Sequence, residues 1–294
     1  MSSALQPADL AVPTDLASLR QKLDGLDEAI HDLIMRRASV VEQIVASGAK
    51  AKGKVALRPG REAAIARRLL ARHTGAFSRA GVVRVWRELI CSMTAMQGPF
   101  ILAVCDADPA GAYSAAAREH FGALVPLRAY RTPAQAIGEV SAGSASTALL
   151  PLPSEGEPRA DAWWTALLHK DDPRIYVIAR LPFWAPRPEG APRVQALLVG
   201  SVPPDPSGDD RSLLGLEMAV DVSRARLGQA LAAAGFDAGT TILRRDPGDS
   251  VAQVLVDVAG FVTESDPRLA TLTAVLHPPI VLGAYAVPLE GETK

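Results

Sequence analysis

Arg37 is the residue whose position most directly suggests chemistry. It interrupts an otherwise aliphatic series in which the spacing alternates between three and four residues, namely Leu16, Leu19, Leu23, Leu26, Ile30, Leu33, Arg37, Val40 and Ile44. A guanidinium group stays charged at working pH, and its desolvation is costly unless it meets an anion. Because Asp32 and Glu42 lie off its helical face, a ligand carboxylate is a serious candidate for its partner.

A second arginine, Arg20, lies one position off the same series. It is about 26 Å from Arg37 along one helix. The two side chains therefore cannot bind the same small molecule from one subunit. Either Arg20 forms a structural ion pair with Asp24, Asp27 or Glu28, or it reaches into the site of a partner subunit.

Two later positions also offer polar groups. Arg61 and Glu62 open a second predicted helix, where backbone N–H groups favour an anion. Taken alone, Glu62 is more simply explained as a cap of that helix. Gln97 lies on the apolar side of a third predicted helix. A buried amide needs hydrogen-bond partners, and as a donor it can stabilise an oxygen on which negative charge develops.

Three helices must position these residues. The first is predicted from Leu16 to about Ser47, with Thr14 or Asp15 as its N-cap, the second begins at Pro59, and the third begins near Arg79. The first is far longer than the others, so its apolar seam cannot be buried within one chain. We therefore expect a homodimer that interlocks two long helices.

After Gly98-Pro99 the pattern changes to short β-branched runs that alternate with helical ones, which indicates an α/β region. A turn-rich segment, 203–210, is predicted to be a linker. It precedes a run of elements in the order βαββαβ, which is typical of a small ferredoxin-like module, and the second helix of this module is expected at 268–276. The predicted organisation is a lead-in at 1–14, a helical domain at 15–98, an α/β domain at 100–202 and a small regulatory domain at 211–289.

Composition narrows the classes of function. The chain has 294 residues, 48% of them hydrophobic, and a formal net charge of −1, which argues against a general nucleic-acid or membrane binder. Cys91 and Cys105 provide neither a disulfide framework nor a metal-binding spacing. With no signal peptide and no membrane-spanning run expected, we predict a cytoplasmic protein without a bound metal.

One alternative function follows from local charge. The segment from Arg58 to Arg87 contains eight arginines and one acid, Glu62. Such a basic helical face is either a solvated surface or a contact for nucleic acid or a protein partner, in which case the chain would be a ligand-sensing protein without enzymatic activity.

The order of these residues resembles the all-helical class of chorismate mutase over residues 15–98. The matching elements are Leu19-Arg20, Leu26-Asp27, Arg36-Arg37, a lysine-rich loop, Arg61-Glu62 and Gln97. The resemblance implies an intertwined helical dimer that binds chorismate. Arg37 and Arg61 would bind substrate in their own subunit, Arg20 would cross into the partner site, Glu62 would hold the ring hydroxyl, and Gln97 would contact the ether oxygen.

The resemblance is incomplete at two positions. The lysine that shares the ether oxygen in the family would fall at Gly48 or Ala49, so either Lys50 or Lys52 must take its role. The serine of the family falls on Met93, with Ser92 one residue away. The implied reaction, chorismate to prephenate, is an intramolecular pericyclic rearrangement and requires no cofactor.

The rest of the chain resembles prephenate dehydratases with a fused regulatory ACT domain. The segment from Gly111 to Ala117 (GAYSAAA) is similar to a dehydratase motif, but Val194-Gln195-Ala196 stands where the threonine and arginine of the family are expected. Dehydratase activity is therefore not expected. Residues 241–247 loosely resemble the ACT effector motif, which makes an aromatic amino acid a candidate effector, with a purely structural or dimerising role equally open.

Overall fold

The computed structural model describes residues 15–47, 57–106, 108 and 110–291. They belong to two compact units, residues 1–52 and residues 53–294.

The described part of the first unit is one continuous helix, α1 (Leu16–Ala46), which confirms the predicted long helix. Asp15 is its N-cap, and a side-chain oxygen of Asp15 accepts a hydrogen bond from the backbone N–H of Ala17 at 3.2 Å. None of the residues of α1 is buried, and Leu33, in the middle of the apolar series, is 62% exposed. The apolar face of α1 is thus a large exposed hydrophobic surface.

The second unit begins with the two shorter helices, α2 (Pro59–Ala71) and α3 (Arg79–Ala95), at the predicted positions. Pro59 occupies the first turn of α2, where its missing N–H costs nothing. The Ser78 side chain caps α3 by accepting a hydrogen bond from the N–H of Gly81 at 3.0 Å. Both helices bury apolar side chains in one cluster, which contains Ala66, Leu70, Val83 and Leu289.

The α/β region that follows consists of β1 (Leu102–Cys105), α4 (Ala112–Phe121), β2 (Leu127–Tyr130), α5 (Pro133–Ser141), β3 (Thr147–Pro151), β4 (Tyr176–Leu181), β5 (Trp184–Ala185) and β6 (Ala196–Gly200). Five of these strands form one half of a nine-stranded sheet, in the order β2-β1-β3-β6-β4. Strands β1, β2 and β3 are parallel to one another, whereas β6 is antiparallel to both of its neighbours.

The last region confirms the βαββαβ prediction. Its elements are β7 (Asp210–Ala219), α6 (Arg224–Ala233), β8 (Ala238–Arg244), β9 (Val251–Ala259), α7 (Pro267–Thr271) and β10 (Ile280–Ala286). The strands are antiparallel in the order β10-β7-β9-β8, which is the ferredoxin-like arrangement. Helix α7 ends five residues earlier than predicted, because Leu272 is extended (φ −69°, ψ 118°) and buries its side chain in the core.

The two halves meet where β10 runs parallel to β4, with Gly283 opposite Val177. Gly283 has φ 142°, and a Cβ atom at this position would collide with the backbone of Val177. Only glycine combines this backbone angle with such a close approach. The junction between the two half-sheets therefore depends on a residue without a side chain.

Several short elements were not predicted, because their runs are brief or rich in proline. They are β2, β5, the two-residue strand β11 (Leu289–Glu290), which pairs with β5, and a 3₁₀ helix at Trp163–His169. Both tryptophans of this 3₁₀ helix are buried, as expected for core packing. Within the described parts of the chain, no helix is both long enough and apolar enough to cross a membrane.

Candidate functional site

The arginines of the first unit lie near opposite ends of α1. Arg20 is exposed and Arg37 is half-buried. Because α1 is an unbroken helix, the two Cα atoms are about 26 Å apart, as the sequence predicts. One protomer therefore cannot bring these two guanidinium groups to the same small ligand.

The start of α2 is fixed to the segment that the sequence suggested as a linker. Arg58 forms a two-pronged ion pair with Asp205, with Nε to Oδ2 and Nη2 to Oδ1 both at 2.6 Å. This hydrogen bonding raises the pKa of Arg58. Gly60 packs directly against the backbone of Asp205, where a Cβ atom would not fit. Residues 203–210 therefore hold the turn of α2 that presents Arg61 and Glu62.

Arg67 extends this attachment one helical turn further. Its guanidinium group donates to the Oγ atom of Ser207 at 2.7 Å, and to the backbone oxygens of Asp209 at 3.0 Å and Val287 at 2.8 Å. These groups precede β7 and follow β10. Helix α2 is thus tied to the beginning and the end of the ferredoxin-like region.

Arg61 and Glu62 are adjacent in α2 but differ in environment. Arg61 is exposed and has no hydrogen bond or ion pair with any described residue, whereas Glu62 is only 5% exposed. The Oε2 atom of Glu62 accepts a hydrogen bond from Nη1 of Arg87 at 2.6 Å. The other oxygen, Oε1, accepts none within the described residues, so it is available to a hydroxyl group.

Arg87 in turn contacts His120 at the end of α4. Its Nε donates to the carbonyl oxygen of His120 at 3.3 Å, and its Nη2 lies against the Nε2 of the imidazole. Burial, together with the nearby Arg87 and Arg187, holds the pKa of His120 well below its ordinary value. The imidazole is therefore neutral at physiological pH, and its Nε2 accepts the hydrogen bond from Arg87.

The pairing of Glu62 with Arg87 was missed by sequence reasoning, which placed Arg87 in a basic face. The spacing of residues in α3 nevertheless indicates that Arg87 is buried. Arg87 falls between Val83, Ile90 and Thr94 at spacings of four and three, and all of these residues are buried. The argument that singles out Arg37 in α1 therefore applies equally to Arg87 in α3.

Gln97 lies just beyond the end of α3 and is half-buried. Its Nε2 donates to the carbonyl oxygen of Met93 at 3.2 Å, so the amide is oriented by its own helix. Met93, at the family serine position, is buried, whereas Ser92 is exposed. The two candidate lysines, Lys50 and Lys52, lie outside the described residues.

Four of the eight arginines between Arg58 and Arg87 bind other groups of the same chain. Besides Arg58, Arg67 and Arg87, Arg79 donates to the carbonyl oxygen of Leu70 at 3.3 Å. Exposed arginines without a hydrogen bond or ion pair to any described residue remain at Arg61, Arg68, Arg72 and Arg84. The basic face is therefore about half as large as the sequence suggests.

Near the expected dehydratase motif, Gln195 is bonded within the sheet. Its Oε1 accepts from Arg180 at 2.8 Å, Arg180 donates to the hydroxyl of Tyr285 at 3.2 Å, and that hydroxyl donates to Asp257 at 2.5 Å. Burial first, and then Asp257, raise the pKa of Tyr285 to about 12. The cavity beside this network measures about 50 Å³. That volume holds a few water molecules but not a ring-sized substrate.

The segment similar to the ACT effector motif lies at the end of β8. Arg244 donates to Asp246 at 2.5 Å and to the carbonyl oxygen of Glu157 at 3.1 Å. Arg245 donates to the carbonyl oxygens of Val220 and Val222 at 3.1 Å and 2.8 Å. Both arginines thus have structural partners within the chain.

Comparison with known proteins finds a family match in the N-terminal region. The family model for chorismate mutase type II matches residues 19–98. The chain is 31% identical over 161 residues to a bifunctional chorismate mutase/prephenate dehydratase of Stutzerimonas stutzeri, covering 53% of this chain and 44% of that protein. It is 28% identical over 167 residues to the same kind of enzyme from Pseudomonas aeruginosa, covering 55% and 45%. The chain thus spans less than half the length of these relatives.

Among solved structures, the chain is partly similar to one described as GqqA, a novel type of quorum quenching acylase, with a TM-score of 0.48 and 19% identity, covering 63% of this chain and 94% of that one. Another is the prephenate dehydratase of Streptococcus mutans, with a TM-score of 0.45 and 16% identity, covering 63% and 97%.

Proposed function

We propose that this protein converts chorismate to prephenate, a step of phenylalanine and tyrosine biosynthesis, because residues 19–98 match the family model for chorismate mutase type II. The observation that carries the proposal is the family match over the same residues that hold Arg20, Arg37, Arg61, Glu62 and Gln97 in the family's order. We expect the reaction to take place in the cytoplasm, in keeping with Cys91 and Cys105, which are buried free thiols.

The rearrangement needs a protein that binds a dianion in its compact conformer and stabilises charge as the ether bond breaks. Arg37 and Arg61 would bind the substrate carboxylates together with Arg20 of the partner subunit. Gln97, and either Lys50 or Lys52, would donate to the ether oxygen. All of these groups bind, orient or donate, so the proposal includes no nucleophile and no cofactor.

Glu62 would accept a hydrogen bond from the ring hydroxyl through Oε1. Its Oε2 is held by Arg87 at 2.6 Å, which fixes the orientation of the carboxylate. Arg87 is therefore proposed as the positioning residue for Glu62. This role adds a residue to those that the family resemblance implies.

The proposal includes a homodimer. The apolar series of α1 is exposed along its whole length, from Leu16 to Ile44, and a second long helix of the same kind would cover it. The 26 Å between Arg20 and Arg37 then allows each α1 to serve two sites, one in its own subunit and one in its partner. A dimer of this kind is an isologous assembly.

We propose that the region after residue 98 is non-catalytic and regulatory or structural. The sequence lacks the threonine and arginine of the dehydratase motif before β6. An aromatic amino acid remains the candidate effector of the ferredoxin-like region.

The proposal is tested by a direct assay of prephenate formation by the full chain and by Arg37→Ala, with Arg68→Ala as the control. Arg68 is an exposed arginine of α2 outside the proposed site. Activity in the wild type and in Arg68→Ala, with a loss of about a hundredfold or more in Arg37→Ala, supports the assignment. An inactive wild type, or an active Arg37→Ala variant, refutes it.

The non-enzymatic alternative, a basic helical face that binds nucleic acid, makes a separate prediction. Binding to phosphates weakens steeply as salt increases. Retention of duplex DNA at physiological salt that is lost in the double variant Arg68→Gln/Arg72→Gln would favour this alternative. If the chain does not retain duplex DNA at physiological salt, the nucleic-acid-binding alternative is refuted.

A further inference from the structure

A cavity of about 250 Å³ lies between α3, α4 and the proline-rich segment 182–194. It is distinct from the residues assigned to chorismate, none of which lines it. An engineered apolar cavity of about 150 Å³ holds a benzene molecule, so this one has room for a six-membered ring with a short polar substituent.

The walls of the cavity are mostly apolar. The apolar lining consists of Val83 of α3, Leu181 at the end of β4, Phe183, and Trp184 of β5. It also includes three prolines, Pro182, Pro188 and Pro192. The Phe183 ring also stacks edge-to-face on His120, which fixes one side of the cavity. Such a lining favours an aromatic or alicyclic ring.

The polar groups of the cavity are predominantly positive. Three arginines line it, of which Arg187 is paired with Glu119, and Arg87 with the neighbouring Glu62. Arg84 is exposed and meets no carboxylate among the described residues. One guanidinium group is therefore available to a ligand, which favours a single carboxylate.

The cavity is adjacent to the proposed site through one side chain. Arg87 both lines the cavity and donates to Glu62, and its contacts with Glu62 and His120 use three of its five N–H groups. A ligand carboxylate that attracts Arg87 would weaken its hold on Glu62. Occupancy of the cavity and the state of Glu62 are thus linked through a shared guanidinium group.

We propose that this cavity binds a small monocarboxylate with an apolar ring, and that its occupancy is coupled through Arg87 to Glu62. The regulatory meaning of this coupling rests on the proposed mutase function, whereas the binding itself does not. The binding is therefore tested separately from catalysis.

Isothermal titration calorimetry of the full chain with phenylacetate tests the site. Phenylacetate is expected to bind with saturation, and phenylacetamide and acetate, which lack the charge or the ring, at least tenfold more weakly. Arg84→Gln is expected to weaken phenylacetate binding about tenfold, whereas Arg68→Gln, with the same loss of charge outside the cavity, leaves it unchanged. No binding up to about 10 mM, or equal binding by Arg84→Gln and wild type, overturns the proposal.

The coupling is tested with Glu62→Gln, whose neutral amide holds Arg87 less strongly than the carboxylate does. By reciprocity, phenylacetate is expected to bind Glu62→Gln severalfold more tightly than wild type. Unchanged affinity in a folded Glu62→Gln protein refutes the coupling. A chain that binds phenylacetate but forms no prephenate refutes the proposed function alone, and an active mutase that does not bind phenylacetate refutes this inference alone.

Discussion

The guanidinium group of Arg87 in α3 and the carboxylate of Glu62 in α2 form a buried ion pair, with Nη1 and Oε2 2.6 Å apart. Both side chains are about nine-tenths buried. Breaking such a pair leaves an uncompensated charge in a region that excludes water, so each member depends on the other. The same contact connects the proposed acid of the mutase site to the wall of the 250 Å³ cavity.

Removing the cation of this pair is predicted to be strongly destabilising. Arg87→Leu is expected to lower the free energy of unfolding by about 3–5 kcal/mol, because Glu62 stays buried without its partner. Glu62→Leu/Arg87→Leu is expected to recover much of that loss. Urea unfolding followed by circular dichroism measures both. The control Arg84→Leu, in the same helix but exposed, should stay within about 0.5 kcal/mol of wild type, and equal effects at the two positions would contradict the role given to Arg87.

A methyl group at the sheet junction is predicted to destabilise the second unit. Gly283→Ala would force a Cβ atom against the backbone of Val177 at φ 142°, so we expect a loss of about 3 kcal/mol or more. The matched control is Gly138→Ala in α5, where a Cβ atom meets nothing within 4 Å and alanine should stabilise the helix slightly. Thermal unfolding compares the two variants. Equal melting temperatures would show that the junction tolerates a side chain.

Complementation is predicted if Arg20 serves the partner's site. Arg20→Ala and Arg37→Ala are each expected to be inactive, because every site in either homodimer lacks one arginine. After the two proteins are unfolded and refolded together, half of the dimers are mixed and each has one complete site, so activity should return to about a quarter of wild type. The prephenate assay measures it. Continued inactivity in verified mixed dimers would mean that the two arginines serve separate purposes.

The buried imidazole of His120 predicts a pH dependence of stability. Burial, and then Arg87 and Arg187, lower its folded-state pKa well below the ordinary value of 6.5. Below pH 6.5, His120 of the unfolded chain therefore binds a proton, whereas His120 of the folded chain stays neutral. The stability that the protein has above pH 6.5 is lost progressively as the pH falls from 6.5 to the folded-state pKa.

Wild-type protein should therefore lose stability between pH 7 and pH 5 more steeply than His120→Gln, whose amide can still accept a hydrogen bond from Arg87. The exposed His169 provides a control, since His169→Gln should follow the wild-type profile. Urea unfolding across this pH range gives the comparison. Identical slopes for wild type and His120→Gln would contradict a neutral buried imidazole.

Local signals in the sequence predicted most of the longer helices and strands. The alternating spacing of leucines predicts α1, Pro59 predicts the start of α2, and the turn-rich segment before Asp210 predicts the beginning of the last βαββαβ region. These signals depend on residues close to one another along the chain, which is why they can be recognised without a fold. The order of Arg20, Arg37, Arg61, Glu62 and Gln97 likewise predicted, from sequence alone, a resemblance to the family whose model matches residues 19–98.

The partners of individual side chains were decided only by tertiary structure. The sequence predicts a linker at residues 203–210, yet in the structure Asp205 and Ser207 bind arginines at the start of α2 and within it. The sequence predicts that Arg87 belongs to a basic surface, yet Arg87 is buried between Glu62 and His120. These two residues lie 25 and 33 positions away in the chain. A charge reveals its sign in the sequence, but its burial depends on which distant elements pack around it, and only the folded chain fixes that packing.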